Sequence, residues 1–138
     1  MNTVRIIDCS EARRIVDLIV DKAQETQKAI AVAVADPHGE LIAFVRMDGV
    51  ALPSIGIAIN KAFSAARARK PTQEIGDNLR QKANDIAYYG DPRFVGWGGG
   101  VPILRDGNVI GAVGVSGLSS AEDATLAALG VDLIASSK

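Results

Sequence analysis

Cysteine is almost missing from this chain: Cys9 is the only one in 138 residues. A single thiol rules out an internal disulfide and any zinc site built from several cysteines. Histidine is equally scarce. His38 stands alone, and no metal-ligand spacing surrounds it. Aromatic residues make up 4% of a chain that is 48% hydrophobic, so Ala, Val, Ile and Leu must build the core. Neither charge is in surplus, with 15 Lys and Arg against 16 Asp and Glu. A general nucleic-acid binder would carry a basic excess, so nucleic acid is not an expected partner. No apolar run approaches the roughly 18 residues of a membrane span. The opening MNTVRIID also lacks the apolar centre of a signal peptide. The expectation is a soluble cytoplasmic protein. Its length suits one domain over residues 1–138, large enough to bury roughly 68% of its unfolded surface.

What is abundant is glycine, and it is concentrated. Nine of the 14 glycines fall between Tyr88 and Gly117, three of them consecutively at Gly98, Gly99 and Gly100 beside the only tryptophan, Trp97. The run is not a phosphate loop, because it lacks the lysine of GxxxxGK and does not open a helix. Gly111 and Gly114 lie within an apolar run and do not form a dinucleotide fingerprint; glycine inside a strand marks a bulge or close packing. Asp106-Gly107 between two apolar runs signals a β-hairpin. The triple glycine therefore reads as a loop with bare backbone amides leading into that hairpin.

Taken in order, Asp8 and Glu11 form a capping box for a helix over about 9–27, with Ala12, Ile15, Ile19 and Ala23 at helical spacing. The apolar run AIAVAVA at 29–35 is short and reads as a strand covered on both faces. Asp36-Pro37-His38-Gly39 turns the chain into a return strand over 40–47. A helix follows over about 54–69. Its expected buried stripe is Ile55, Ile59, Ala62, Phe63 and Ala66, with Lys61, Ser64 and Arg67 off or bordering it. Pro71 stops it. The basic cluster Arg67, Arg69 and Lys70 either complements the helix dipole or binds an anion. A polar, exposed helix is expected from Thr72 to about Ile86. Ser119 with Glu122 caps a last helix over 121–136.

This order of elements gives an α+β fold: one mostly antiparallel sheet with flanking helices. Its chemistry centres on the loop. Amides of Gly98, Gly99 and Gly100 beside Trp97 suit a planar or carboxylate-bearing small molecule, with Lys61, Arg67 and Arg93 as neutralising cations.

Several stretches together resemble the GlcG/HbpS family, which includes the C-terminal domain of PduO-type corrinoid adenosyltransferases. They are ADPHGEL at 35–41, RMDG at 46–49, the helix from Ser54 through Lys61-Ala62 to Ala66, GGGVPI at 98–103, DGNVIGAVGVSG at 106–117 and Glu122-Asp123. The resemblance runs from about residue 10 to 135. It implies a single GlcG-type, profilin-like α+β domain that self-associates into homo-oligomers. Some family members bind haem, and others accompany operons for glycolate, diol or aromatic-compound breakdown. The resemblance leaves the cofactor open, with haem one candidate.

Three readings of function follow. The first is a small-molecule-binding domain whose planar or anionic ligand lies beside Trp97, held by Lys61, Arg67 and the amides of Gly98 to Gly100. The second is a catabolic enzyme that hydrolyses, isomerises or deaminates an unsaturated carboxylate. The same amides would stabilise an oxyanion, with His38, Asp48 or Glu74 as the proton-transfer group. The third is a structural subunit of a larger complex. The first two require the triple-glycine loop to lie open.

Overall fold

The computed structural model describes residues 5–135. Helix α1 spans Cys9–Glu25, and strands β1 and β2 span Ala31–Ala35 and Leu41–Arg46. Helices α2 (Leu52–Ala68) and α3 (Thr72–Gln81) follow, then a short 3-10 turn at Ile86–Tyr89. Strands β3 (Gly100–Arg105) and β4 (Asn108–Ser116) lead to α4 (Ser120–Ala135). The sheet order is β2-β1-β4-β3, with every neighbouring pair antiparallel. The architecture is the expected single-sheet α+β arrangement, with α1 and α4 against one face and α2 against the other.

Local signals place most of the boundaries. The Asp8 carboxylate accepts from Glu11 N at 2.8 Å and Glu11 returns a bond to Asp8 N, closing the capping box. Asp106 and Gly107 both have positive φ, 52° and 78°, the backbone of the tight turn that suits a two-residue hairpin. The last helix starts where Ser119 Oγ accepts from Glu122 N; the expected end at Ser136 lies outside the described residues. Helix α3 is shorter than the sequence implies. It stops at Gln81, and Ala83 turns left-handed. It is also not wholly exposed, since Thr72, Ile75 and Gly76 are buried.

Residue size sorts the two faces of the sheet. β1 is buried throughout, so its alternation is between large and small residues. Val32, Val34, Val113 and Val115 join Ile15, Ile19 and Ile134 in the core under α1 and α4. Ala33, Ala35, Ala112 and Gly114 of the same strands face α2, whereas Gly111 lies on the other face against Ile7. Ala33, Gly114 and Gly100 are register partners across β1, β4 and β3, a row of minimal side chains on which α2 lies almost backbone to backbone. A Cβ on Gly114 would sit 2.2 Å from Ala58 O and 2.5 Å from Ala62 N. This proximity corrects the expected stripe of α2. Ala58, Ala62, Ala65 and Ala66 face inward, Ile55 and Ile59 are only half-buried, and Lys61 and Ser64 are fully enclosed. Large aliphatic residues cannot occupy the seam because it leaves no depth for them.

Lys61 solves a separate problem at the end of this row. Its ammonium donates to Val115 O at 2.9 Å and to Asp123 Oδ2 at 3.1 Å. Asp123 belongs to the first turn of α4, the opposite helical layer, and its other oxygen accepts from Leu118 N at 3.1 Å. Both residues are 2% exposed. Burial is the dominant influence on each: it pushes Asp123 above the usual carboxylate range and Lys61 below the usual ammonium range, only partly offset by their mutual attraction. A buried pair of this kind is costly to break and of little net value whole.

Two sets of variants test this packing. Gly114→Ala is expected to cost about 3 kcal/mol by overpacking. Gly56→Ala in the same helix, where a Cβ meets nothing within 4 Å, should stabilise by about 0.5–1 kcal/mol. Urea unfolding of both variants provides the comparison. For the ion pair, Asp123→Ala should cost about 3–5 kcal/mol and Lys61→Met/Asp123→Leu less than that. The pH dependence has a defined sign. Folded Asp123 takes up its proton at a higher pH than the unfolded chain does. Its contribution to stability therefore rises as pH falls through the folded value, and is constant below the unfolded one. Wild type should gain stability relative to Asp123→Asn as pH falls toward about 4, the value of an unfolded aspartate; an unchanged gap would show that Asp123 is not held high.

Candidate functional site

The triple glycine is sealed. Gly98, Gly99 and Gly100 are all buried, and each would collide with a neighbour if it carried a side chain. A Cβ on Gly98 would meet Gln73 Oε1 at 2.5 Å. On Gly99 it would lie 2.5 Å from Val115 O and 2.7 Å from Lys61 Nζ, and on Gly100 2.5 Å from Lys61 O. Gly100 N donates to Thr72 Oγ1 at 2.8 Å, and Gly99 O accepts from Val115 N at 2.9 Å. Gln73 and Ser120 occupy the space that a side chain at Gly98 would need, and α2 with the Lys61–Asp123 pair occupies most of it at Gly99 and Gly100. The expectation of an open amide loop is corrected on that ground.

The cations expected to serve this loop are also engaged. Lys61 is committed to Asp123. Arg67 donates its Nε to His38 O at 2.8 Å and lies over the Phe63 ring. Arg93 pairs with Asp91 at 2.9 Å, and its guanidinium carbon lies 3.9 Å from the Phe63 centroid. The Asp91 carboxyl is held below its usual range, chiefly by the hydrogen bond from the Arg93 side chain.

The candidate proton-transfer groups share no cavity. His38 sits in the β1–β2 turn and lines one groove. Asp48, just past the far end of β2, lines another. Glu74 is exposed on the first turn of α3 and lines neither.

A groove does lie beside Trp97, with a different floor. Its volume is about 430 Å³, and its walls include Leu79, Ile86, Phe94 and Trp97, with Arg80 and Asn84 as polar members. The floor is Gly76 of α3 against Gly96: a Cβ on Gly76 would lie 2.0 Å from Gly96 O. That contact brings the segment after the 3-10 turn down onto α3. Ser64 secures it from below, accepting from Val95 N at 2.9 Å and donating to Asn60 O at 2.7 Å. Phe94 belongs to an aromatic series. It is edge-on to buried Phe63 with centroids 5.2 Å apart, and stacked with Tyr89 at 4.3 Å. Trp97 is 62% exposed. Arg80 pairs with Asp77 at 2.5 Å. The Asp77 carboxyl is held below its usual range, first by the hydrogen bond from Gln73 and then by that from Arg80.

This arrangement offers a flat apolar wall, one exposed guanidinium and one carboxamide, enough to bind and orient a flat anion by its ring face and its charged edge. Trp97 was legible in the sequence as a member of such a site; Arg80, Phe94 and Ile86 were not, although the density of aromatic residues in 88–97 is a signal that points there. Among the described residues no group of three His, Cys, Asp or Glu side chains converges to hold a metal ion, and no helix is long and apolar enough to cross a membrane.

Comparison with known proteins places this geometry in a family. The family model described as "Haem degrading protein HbpS-like" matches residues 7–132. Protein GlcG of Escherichia coli K12 is 36% identical over 119 residues, covering 84% of this chain and 85% of that protein. The crystal structure of Klebsiella pneumoniae protein ORFY superposes with a TM-score of 0.90 at 30% identity, covering 100% of this chain and 97% of the other. The crystal structure of a PduOC–haem complex superposes at 0.84 with 27% identity, covering 92% and 94%. With the family model matching residues 7–132 and the fold superposing over the whole chain, the chain belongs to the HbpS-like family.

Proposed function

We propose that this protein is a small-molecule-binding domain whose ligand is a flat organic anion, held in the groove beside Trp97. The observation that carries the reading is the exposed indole facing an apolar groove that also contains a guanidinium. Trp97 takes no part in the core, and its ring is free to cover a ligand. In this reading Trp97 and Phe94 cover the ring faces. Arg80 exchanges its exposed partner Asp77 for the ligand's anionic edge, and Asn84 adds a hydrogen bond.

Haem is bound by a structural neighbour, the PduOC–haem complex, and it meets a definite obstacle in this groove. Iron held axially needs an imidazole, a thiolate, a thioether or a phenolate. The residues lining the groove supply none of these, and the chain's single histidine lines a different one. A ligand held here rests on ring contact and charge, without a bond to iron.

Calorimetric titration with protoporphyrin IX and with smaller aromatic carboxylates is the test. Trp97→Ala should weaken the probe that binds by about tenfold, within the range of a lost aromatic stacking contact. Arg80→Ala should weaken carboxylates but not their amides. Equal affinity in wild type and both variants would overturn the reading.

A further inference from the structure

A second groove lies where the β1–β2 turn, the C-terminal end of α2 and the β3–β4 hairpin converge, with a volume of about 630 Å³. Its rim carries His38 and Arg69, and its walls include Ile6, Leu104 and Val109. Ile6 and Leu104 are each 52% exposed, two large aliphatic residues left in water side by side with two nitrogen-rich side chains.

Within the described residues, the two polar groups of this rim are not taken up by protein partners, unlike the arginines near the Trp97 groove and on the same helix. Arg67, Arg80 and Arg93 are each hydrogen-bonded to a protein oxygen. Among the described residues Arg69 has no ion pair and its guanidinium no hydrogen bond, and the His38 ring likewise has no partner. The backbone beneath them is fixed. Asp36 Oδ1 accepts from His38 N at 2.8 Å and Glu40 N at 3.0 Å, while Arg67 holds His38 O. Gly39 is pressed onto Phe63, where a Cβ would lie 2.7 Å from the ring. The imidazole is thus presented free on a clamped turn, so little ordering cost remains for binding. Arg69 is the C-cap of α2 with φ of 60°. Glycine is the usual residue for a left-handed cap, because a Cβ there crowds the following carbonyl oxygen. At this cap the chain carries an arginine whose side chain reaches the groove.

We propose that this groove is a binding site for a monocarboxylate with an apolar body. The Arg69 guanidinium takes the carboxylate through paired N–H donors, the His38 ring supplies a further hydrogen bond, and Ile6, Leu104 and Val109 cover the hydrocarbon. The site shares no residue with the Trp97 groove and stands or falls independently of it.

The test uses a series of straight-chain carboxylates, acetate to octanoate, followed by amide chemical shifts and calorimetry. Affinity should rise with each added methylene, up to about fourfold per group fully buried. The shifts should centre on His38, Leu104 and Asn108. Arg69→Gly should raise the melting temperature by relieving the left-handed cap and weaken octanoate at least tenfold. Arg69→Lys should recover part of that loss. His38→Ala should weaken octanoate less than Arg69→Gly does, and Trp97→Ala should leave it unchanged. Octanol and octylamine should fail to compete. The proposal is overturned if octanoate leaves these amides unmoved, if Arg69→Gly retains wild-type affinity, or if octanol binds as well as octanoate.

Discussion

The centre of this molecule is arranged around a lysine that leaves one helical layer to meet an aspartate of the other. Lys61 departs from α2 and Asp123 from the first turn of α4, and both are stripped of water where they meet. Removing two charges from solvent is tolerable only when the remaining polar atoms find partners. Val115 O and Leu118 N complete them here, and among the described residues no buried side-chain nitrogen or oxygen is left without a partner. Space for the lysine exists because the chain at 98–100 has no side chains. The glycine run and the ion pair are one feature seen from two sides.

That arrangement leaves function to the periphery. A sheet face of valines under α1 and α4, and a face of alanines and glycines under α2, fill the interior completely. The grooves lie where elements end: beside α3 and the segment after it, and at the meeting of two hairpin turns with the end of α2. Each pairs half-exposed apolar residues with one arginine. A rigid interior carrying shallow grooves at its loops suits binding of varied small molecules, because the loops can change without disturbing the packing.

Features read from neighbouring residues were legible in the sequence. Asp8 with Glu11, Asp106 with Gly107, and Pro71 after α2 each act within a few positions, so their geometry follows from residue type. The family resemblance and the antiparallel sheet were legible for the same reason, as strings of such local signals. The fate of Lys61 was not. Helical spacing puts it beside the apolar stripe, and nothing nearby shows that its partner lies 62 positions later. The triple glycine misled in the same way. Bare amides and tight packing leave identical traces in a sequence, and only contacts from α2 and β4 distinguish them. Arg80 and Phe94 were missed as groove residues because α3 was expected to be simply solvated, whereas the Gly76–Gly96 contact folds the next segment onto it.

The position of the single indole has a practical corollary. Trp97 already stands largely in water when the chain is folded, so denaturation changes its surroundings little. Its emission colour would stay nearly constant while the valine and isoleucine interior came apart, and a melting curve recorded that way would miss the event. Backbone circular dichroism or heat capacity, which respond to the helices and the buried aliphatic surface, would register it.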